Sequence, residues 1–157
     1  MKPVAGHLSE QSGERGPRPQ GLYVFPGCAV PFFPGFLQRL IYRRYGLEIP
    51  SGADIGGGLY IAHPVGTVIM PGRIGRNCSI IASVTIGLRN EWAFPDIGDN
   101  VFIGAGARVL GGIRVGDDVS VGANAVVIHD LPDGATVVGI PARVIRIYGN
   151  QIDEEKR

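Results

Sequence analysis

Charge of one sign is what this chain has least of. Its formal net charge is +1 at pH 7, and charged residues make up only 18% of it. Without a basic surplus to neutralise phosphates, nucleic acid is not an expected partner. Cysteine is scarce as well: Cys28 and Cys78 are the two copies. They cannot build a disulfide framework, and they fit a reducing compartment. Histidine occurs three times, as His7, His63 and His129, which restricts both metal binding and general-base chemistry to a very short list. No segment offers the ~20 apolar residues of unbroken helix that a membrane span needs. The uncharged run Gly21 to Gln38 is interrupted by Pro26, Pro31 and Pro34, and it follows a polar stretch, unlike a secretory leader. The expectation is a soluble, cytoplasmic protein with no membrane span.

What the chain does have is glycine, 25 copies, with 12 prolines and 45% apolar residues. That mixture argues against disorder and for a fold built on tight turns. At 157 residues it is one domain, large enough to bury a core without a structural metal.

The apolar residues recur every six positions. Ile49, Ile55 and Ile61 begin the series, one extra residue shifts it to Val68, and Ile74, Ile80 and Ile86 continue it. After an interruption come Ile97, Ile103, Val109, Val115, Val121 and Val127. A second row, four residues after the anchors, holds Ala53, Leu59, Val65, Cys78, Val84, Val101, Ala107, Ile113, Val119, Ala125 and Leu131, and breaks at Gly72 and Asn90. A helix repeats every 3.6 residues and a half-buried strand every two. A strict six fits a solenoid of short strands and turns, each coil burying its apolar row on the next. The expected class is therefore all-β, a parallel β-helix, with Cys78 packed inside.

The remaining segments divide around this repeat. Residues 1–22 read as a disordered polar tail. Residues 23–47 read as an N-terminal segment with a short helix from Pro34 to Tyr45, stopped by Gly46, whose apolar side is Phe36, Leu37, Leu40 and Ile41. Residues 48–147 read as the β-helix, with a loop at 88–95 where the repeat is broken, and residues 148–157 as a charged tail.

Ordered pieces of the repeat carry a resemblance. Leu-Glu-Ile-Pro at 47–50, Ile-Gly-Gly-Gly-Leu-Tyr-Ile-Ala-His-Pro at 55–64, Ser-Val-Thr-Ile-Gly at 83–87, Ile-Gly-Ala-Gly-Ala at 103–107, Val-Gly-Ala-Asn-Ala-Val-Val at 121–127 and Gly-Ile-Pro-Ala-Arg at 139–143 are together similar to the serine acetyltransferase-like branch of the hexapeptide acyltransferases. The resemblance implies a left-handed parallel β-helix, a homotrimer with active sites between subunits, and acetyl-CoA as co-substrate with no metal.

Transfer of acetyl to a hydroxyl needs a base, and a near-neutral histidine is the usual one. The resemblance puts the catalytic histidine on His63, which lies off both inward rows, and its carboxylate partner on Glu48. It places Gly87, Ala105 and Ala123 along the pantetheine arm of acetyl-CoA. Arg143, in Pro-Ala-Arg, is the candidate for the nucleotide end, since its guanidinium fork suits phosphate. The loop contributes Arg89, Trp92 and Phe94 as acceptor contacts.

The sequence also departs from serine acetyltransferases. They carry an Asp before the catalytic His, where this chain has Ala62, and an Arg-His pair before a loop Pro, where it has Ala93 and Phe94 before Pro95. Their large N-terminal helical domain has no counterpart among these residues. Those losses favour a sugar or polysaccharide precursor as acceptor, with Trp92 and Phe94 to stack on it. The alternatives are serine, an amino sugar acetylated on nitrogen, and a non-catalytic β-helix scaffold. A metal-dependent hydratase on the same fold would need three convergent histidines, which His7, His63 and His129 do not provide.

Overall fold

The structure is a computed structural model, and it describes residues 22–23, 35–50, 53–70, 72–90 and 92–151. Strand β1 (Leu22–Tyr23) and helix α1 (Gly35–Tyr45) come first. The first coil holds β2 (Leu47–Glu48), β3 (Asp54–Ile55) and β4 (Tyr60–Ile61). The second holds β5 (Thr67–Ile69), β6 (Arg73–Ile74) and β7 (Ser79–Ile80), and the third β8 (Thr85–Gly87), β9 (Asp96–Ile97) and β10 (Phe102–Ile103). The fourth holds β11 (Arg108–Leu110), β12 (Arg114–Val115) and β13 (Ser120–Val121). A final part comprises β14 (Val126–Val127), β15 (Ala135–Val138), β16 (Arg143–Ile147) and β17 (Asn150–Gln151).

Strands three apart in sequence, and β13 with β15, pair in parallel, which makes three sheets: A (β4, β7, β10, β13, β15), B (β2, β5, β8, β11, β14) and C (β3, β6, β9, β12). Sheet A alone is extended by antiparallel strands, β1 at its start and β16–β17 at its end. This is the β-helix that the six-residue period predicts. Its interior is a continuous apolar cluster that includes Ile55, Ile61, Ile80, Ile103, Val109 and Val121. Cys78 is buried in it, and its thiol donates to the Gly98 carbonyl at 3.2 Å.

The structure corrects the period in one coil. Val68 pairs with Thr85 and Ile69 with Ile86, and it is Ile69 that is fully buried while Val68 is half-buried. The inward step is therefore eight residues from Ile61 to Ile69 and five from Ile69 to Ile74. Val65, assigned to the second row by its hydrophobicity, is exposed, and Thr67 takes the inward place. Extra backbone cannot fit between stacked strands, so it is pushed out at the turn that carries His63 and Pro64.

Thr67 is left with a buried Oγ1 that has no hydrogen-bond partner. An unsatisfied buried hydroxyl costs about 1–3 kcal/mol. Thr67→Val keeps the shape and removes that cost, so it is expected to raise the unfolding free energy by a comparable amount and the denaturant midpoint with it. A lower midpoint in urea would mean that the hydroxyl has a partner in solution.

Helix α1 ends as expected. Gly46 lies at φ 62°, and its N–H reaches the Tyr42 carbonyl at 2.8 Å, a left-handed cap that glycine adopts without a Cβ penalty. Its inner face differs from expectation: Phe36 and Leu40 are exposed, and Ile41 packs on the core. Gln38 Nε2 donates to the Ile49 carbonyl at 3.0 Å and ties the helix to the first coil. Thus docking rests on fewer apolar contacts than the sequence suggested. Of the expected tail 1–22, only Leu22 is described, paired with Ile61. At the other end, Tyr148 is still anchored, its N–H on the Gly134 carbonyl at 2.9 Å. Residues 152–157 lie outside the described residues.

Candidate active site

Turns between sheets A and B stack into one edge of the solenoid. The Ser83 N–H donates to the Val65 carbonyl, Gly106 to Ala82, Asn124 to Ala105, and Val126 to Gly139. The edge therefore runs Val65, Ala82, Ala105, Ala123, Gly139, almost all small. The corner between sheets C and A is built differently. There Asn77, Asn100 and Asp118 sit at positive φ, which their short side chains tolerate. Asn100 Nδ2 bonds Asp118 Oδ1 at 3.0 Å, and Asp99, Asp117 and Asp133 each accept a main-chain N–H of the preceding coil. That corner is braced by its own amides and carboxylates, whereas the A–B edge is lined by small residues and the half-buried Arg108.

His63 stands at the head of that edge. It is exposed, with φ 54°, an uncommon conformation for a non-glycine residue. The turn is held from both sides: Gly66 N–H reaches the Gly46 carbonyl at 3.1 Å, and Ser83 holds Val65. Glu48 is exposed on β2, in register with Val68 of the adjacent strand. No hydrogen bond or ion pair joins Glu48 to His63 in this structure. Ala62 is buried at 9% exposure, so its place beside His63 is apolar.

Ala105 and Ala123 lie on the same edge. Arg143, exposed, opens β16 opposite Val138, just past Gly139 and a cis Ile140–Pro141 bond. Gly87, Arg89, Trp92 and Phe94 lie elsewhere, at the B–C corner, where the loop leaves β8. Three-residue strands of sheet B, roughly 10 Å long, separate them from His63 within one chain. Trp92 is 84% exposed and meets Phe94 edge-on, ring centres 5.9 Å apart. Between Arg89 and Asn90 of the loop and Gly111, Gly112 and Ile128 is an open cleft of about 220 Å³. His129 also follows β14 at this corner, away from His63, and His7 lies outside the described residues. Among the described residues no group of three His, Cys, Asp or Glu could hold a metal ion, and no helix is long and apolar enough to cross a membrane.

The glycines separate fold from site. A side chain at Gly104 would meet the main chain of Ala123 at 2.7 Å, so close stacking requires glycine there. A methyl group at Gly87 would have no neighbour within 4 Å, and its φ is ordinary. The fold does not need that glycine, although the residue is buried. Burial raises the Cys78 thiol above its usual range, which leaves the described cysteine a poor nucleophile.

Sequence reasoning missed the tethering role of Ser83 and Gly46 and the outward insertion itself. The signal was there: the phase slip lies between Ile61 and Ile74, around His63.

Stacked hexapeptide coils with a histidine at the head of a small-residue edge define a hexapeptide-repeat transferase fold. Residues 94–129 match the family described as bacterial transferase hexapeptide, six repeats. Serine acetyltransferase of Helicobacter pylori is 49% identical over 118 residues, covering 73% of this chain and 69% of that protein. The chain belongs to the serine acetyltransferase family. The Synechococcus elongatus serine acetyltransferase is 41% identical over 79% of this chain and 52% of its own length. The crystal structure of Neisseria gonorrhoeae serine acetyltransferase in complex with serine superposes with a TM-score of 0.67 at 39% identity, over 71% of this chain and 47% of that one. A serine acetyltransferase in complex with CoA gives 0.66 at 37% identity. The chain spans about half the length of several of these relatives.

Proposed function

We propose that this chain is an acetyl-CoA-dependent O-acetyltransferase whose acceptor is serine. The observation that carries the reading is the 49% identity to a serine acetyltransferase over 69% of that protein's length, and His63 is exposed at the head of the A–B edge. His63 takes the proton of the acceptor hydroxyl, and its oxygen attacks the acetyl carbonyl. The tetrahedral adduct collapses, the carbon–sulfur bond breaks, and the proton passes from His63 to the departing thiolate. Glu48, one strand away, stabilises the imidazolium formed in between. With Cys78 buried and its thiol kept protonated, transfer is direct rather than through an acetyl-enzyme. Acetyl-CoA extends along Ala105 and Ala123 towards Arg143. Because Arg89, Trp92 and Phe94 sit at the other corner, they complete the site of a neighbouring subunit in a homotrimer, so that each site draws on two chains.

The sugar acceptor expected from the sequence finds no support among the relatives. Two observations still favour it as a second reading: Trp92 is 84% exposed, and Ala62 offers no charge for an ammonium group. An acceptor screen with free-thiol detection separates the two. Serine is expected to release CoA thiol fastest among serine, neutral hexoses and amino sugars. A sugar that outpaces serine in kcat/KM would replace the acceptor, and a product acetylated on nitrogen would replace the reaction.

A further inference from the structure

The His63 edge carries a cation that the sequence pattern does not single out. Arg108 projects from the outer face of β11, in register with Thr85 and Val126, and is half-buried. Its Nη1 donates to the Ser83 and Gly106 carbonyls at 2.7 Å and to the Ala107 carbonyl at 3.2 Å. All three carbonyls belong to the A–B turns, so the guanidinium lies along the edge instead of reaching into solvent. Ser83 in turn donates through N–H and Oγ to the Val65 carbonyl, at 3.2 and 3.4 Å, within the turn that carries His63. Among the described residues no carboxylate pairs with Arg108, and its Nε and Nη2 have no protein acceptor. A guanidinium has five N–H donors. Nη1 accounts for two of them, so three are free to donate to a ligand that lies along the edge.

The guanidinium bridges the Ser83 and Gly106 turns, so it runs alongside successive coils of the edge. Neighbouring strands are roughly 5 Å apart. An extended thioester arm laid along the edge follows that path, and pantetheine offers two amide carbonyls along its length. We infer that Arg108 is a donor-binding residue whose Nε and Nη2 hydrogens hold amide carbonyls of the pantetheine arm of acetyl-CoA as it passes Ala82, Ala105 and Ala123. The inference rests on the proposed reading that acetyl-CoA occupies this edge. Its chemistry differs from that of Arg143, which faces the phosphates: Arg108 orients neutral acceptors, so it sets the path of the arm and not the pull of the charge.

The test measures binding of CoA alone, by titration calorimetry without acceptor, in wild type, Arg108→Met and Arg108→Lys. Lysine keeps the charge and a contact with the carbonyls, which guards against a loss of fold in the methionine variant. CoA affinity is expected to fall about tenfold in Arg108→Met, or about 1.4 kcal/mol, and less in Arg108→Lys. The KM for acetyl-pantetheine should rise by as much as that for acetyl-CoA, while KM for the acceptor stays within twofold. Unchanged CoA affinity in either folded variant would overturn the inference, as would a rise confined to the acceptor's KM. A wild-type protein that binds CoA but acetylates no serine would remove the acceptor reading and leave the Arg108 test standing. One that binds no CoA removes both.

Discussion

His63→Asn is expected to lower kcat for acetyl transfer by about 10²–10⁴-fold, the usual contribution of a positioned general base. Asparagine suits this test because it tolerates the left-handed backbone that His63 adopts at φ 54°. The turn should then survive, and with it the thermal midpoint and the affinity for CoA. Loss of rate without loss of donor binding is the signature of a base that acts on the acceptor and makes no essential contact with the donor. Steady-state kinetics with saturating acetyl-CoA and serine checks it. Turnover within threefold of wild type would remove His63 from the chemistry and require another group to act as the base. The same rate loss with a collapsed CoA affinity would instead assign the imidazole to binding.

Ile80→Ala is expected to cost about 2–5 kcal/mol of stability, enough to threaten folding in a protein whose total is of order 5–15 kcal/mol. Ile80 is fully buried, flanked in register by Ile61 and Ile103. Neighbouring coils are locked by their own hydrogen bonds and cannot collapse into the space. Val65→Ala provides the contrast. The six-residue count makes Val65 an inward residue equal to Val84, yet it is 68% exposed, and its truncation should change stability by under about 0.5 kcal/mol. Urea midpoints for the two variants measure the corrected register directly. Equal losses would restore the original count.

The solenoid was legible because its period is enforced by geometry: every coil must return a branched apolar side chain to the same interior column. The error at Val68 has the same root. Val68 and Ile69 are both branched and apolar, so hydrophobicity could not choose between them, and only strand pairing places Ile69 inside. Thr67 and Val65 were exchanged for the opposite reason, since a threonine with an orphan hydroxyl is a poor guess for a core. The helix was readable from Pro34 and Gly46, but which of its apolar residues face inward depends on the coil beneath, and Phe36 and Leu40 do not. The hand of the coils was never in the spacing, because general crossover preferences point to the right; only the resemblance supplied it. Of the site, His63 and the two alanines could be named from motif and fall on one edge. That Gly87 and the loop stand at another corner needed the three-sheet register. Arg108 was invisible because an arginine at an outward position reads as solvated charge until its carbonyl partners are seen.

Identical coils stacked in parallel contain no instruction to stop. Each terminal strand offers an unmatched row of amide and carbonyl groups to any similar strand. In sheet A this chain answers with a reversal of direction: β16 runs back against β15, and β17 against β16. A further parallel coil, whether from a longer chain or from another molecule, would find that sheet already closed by strands of the wrong polarity. The hairpin thus blocks end-to-end growth through sheet A.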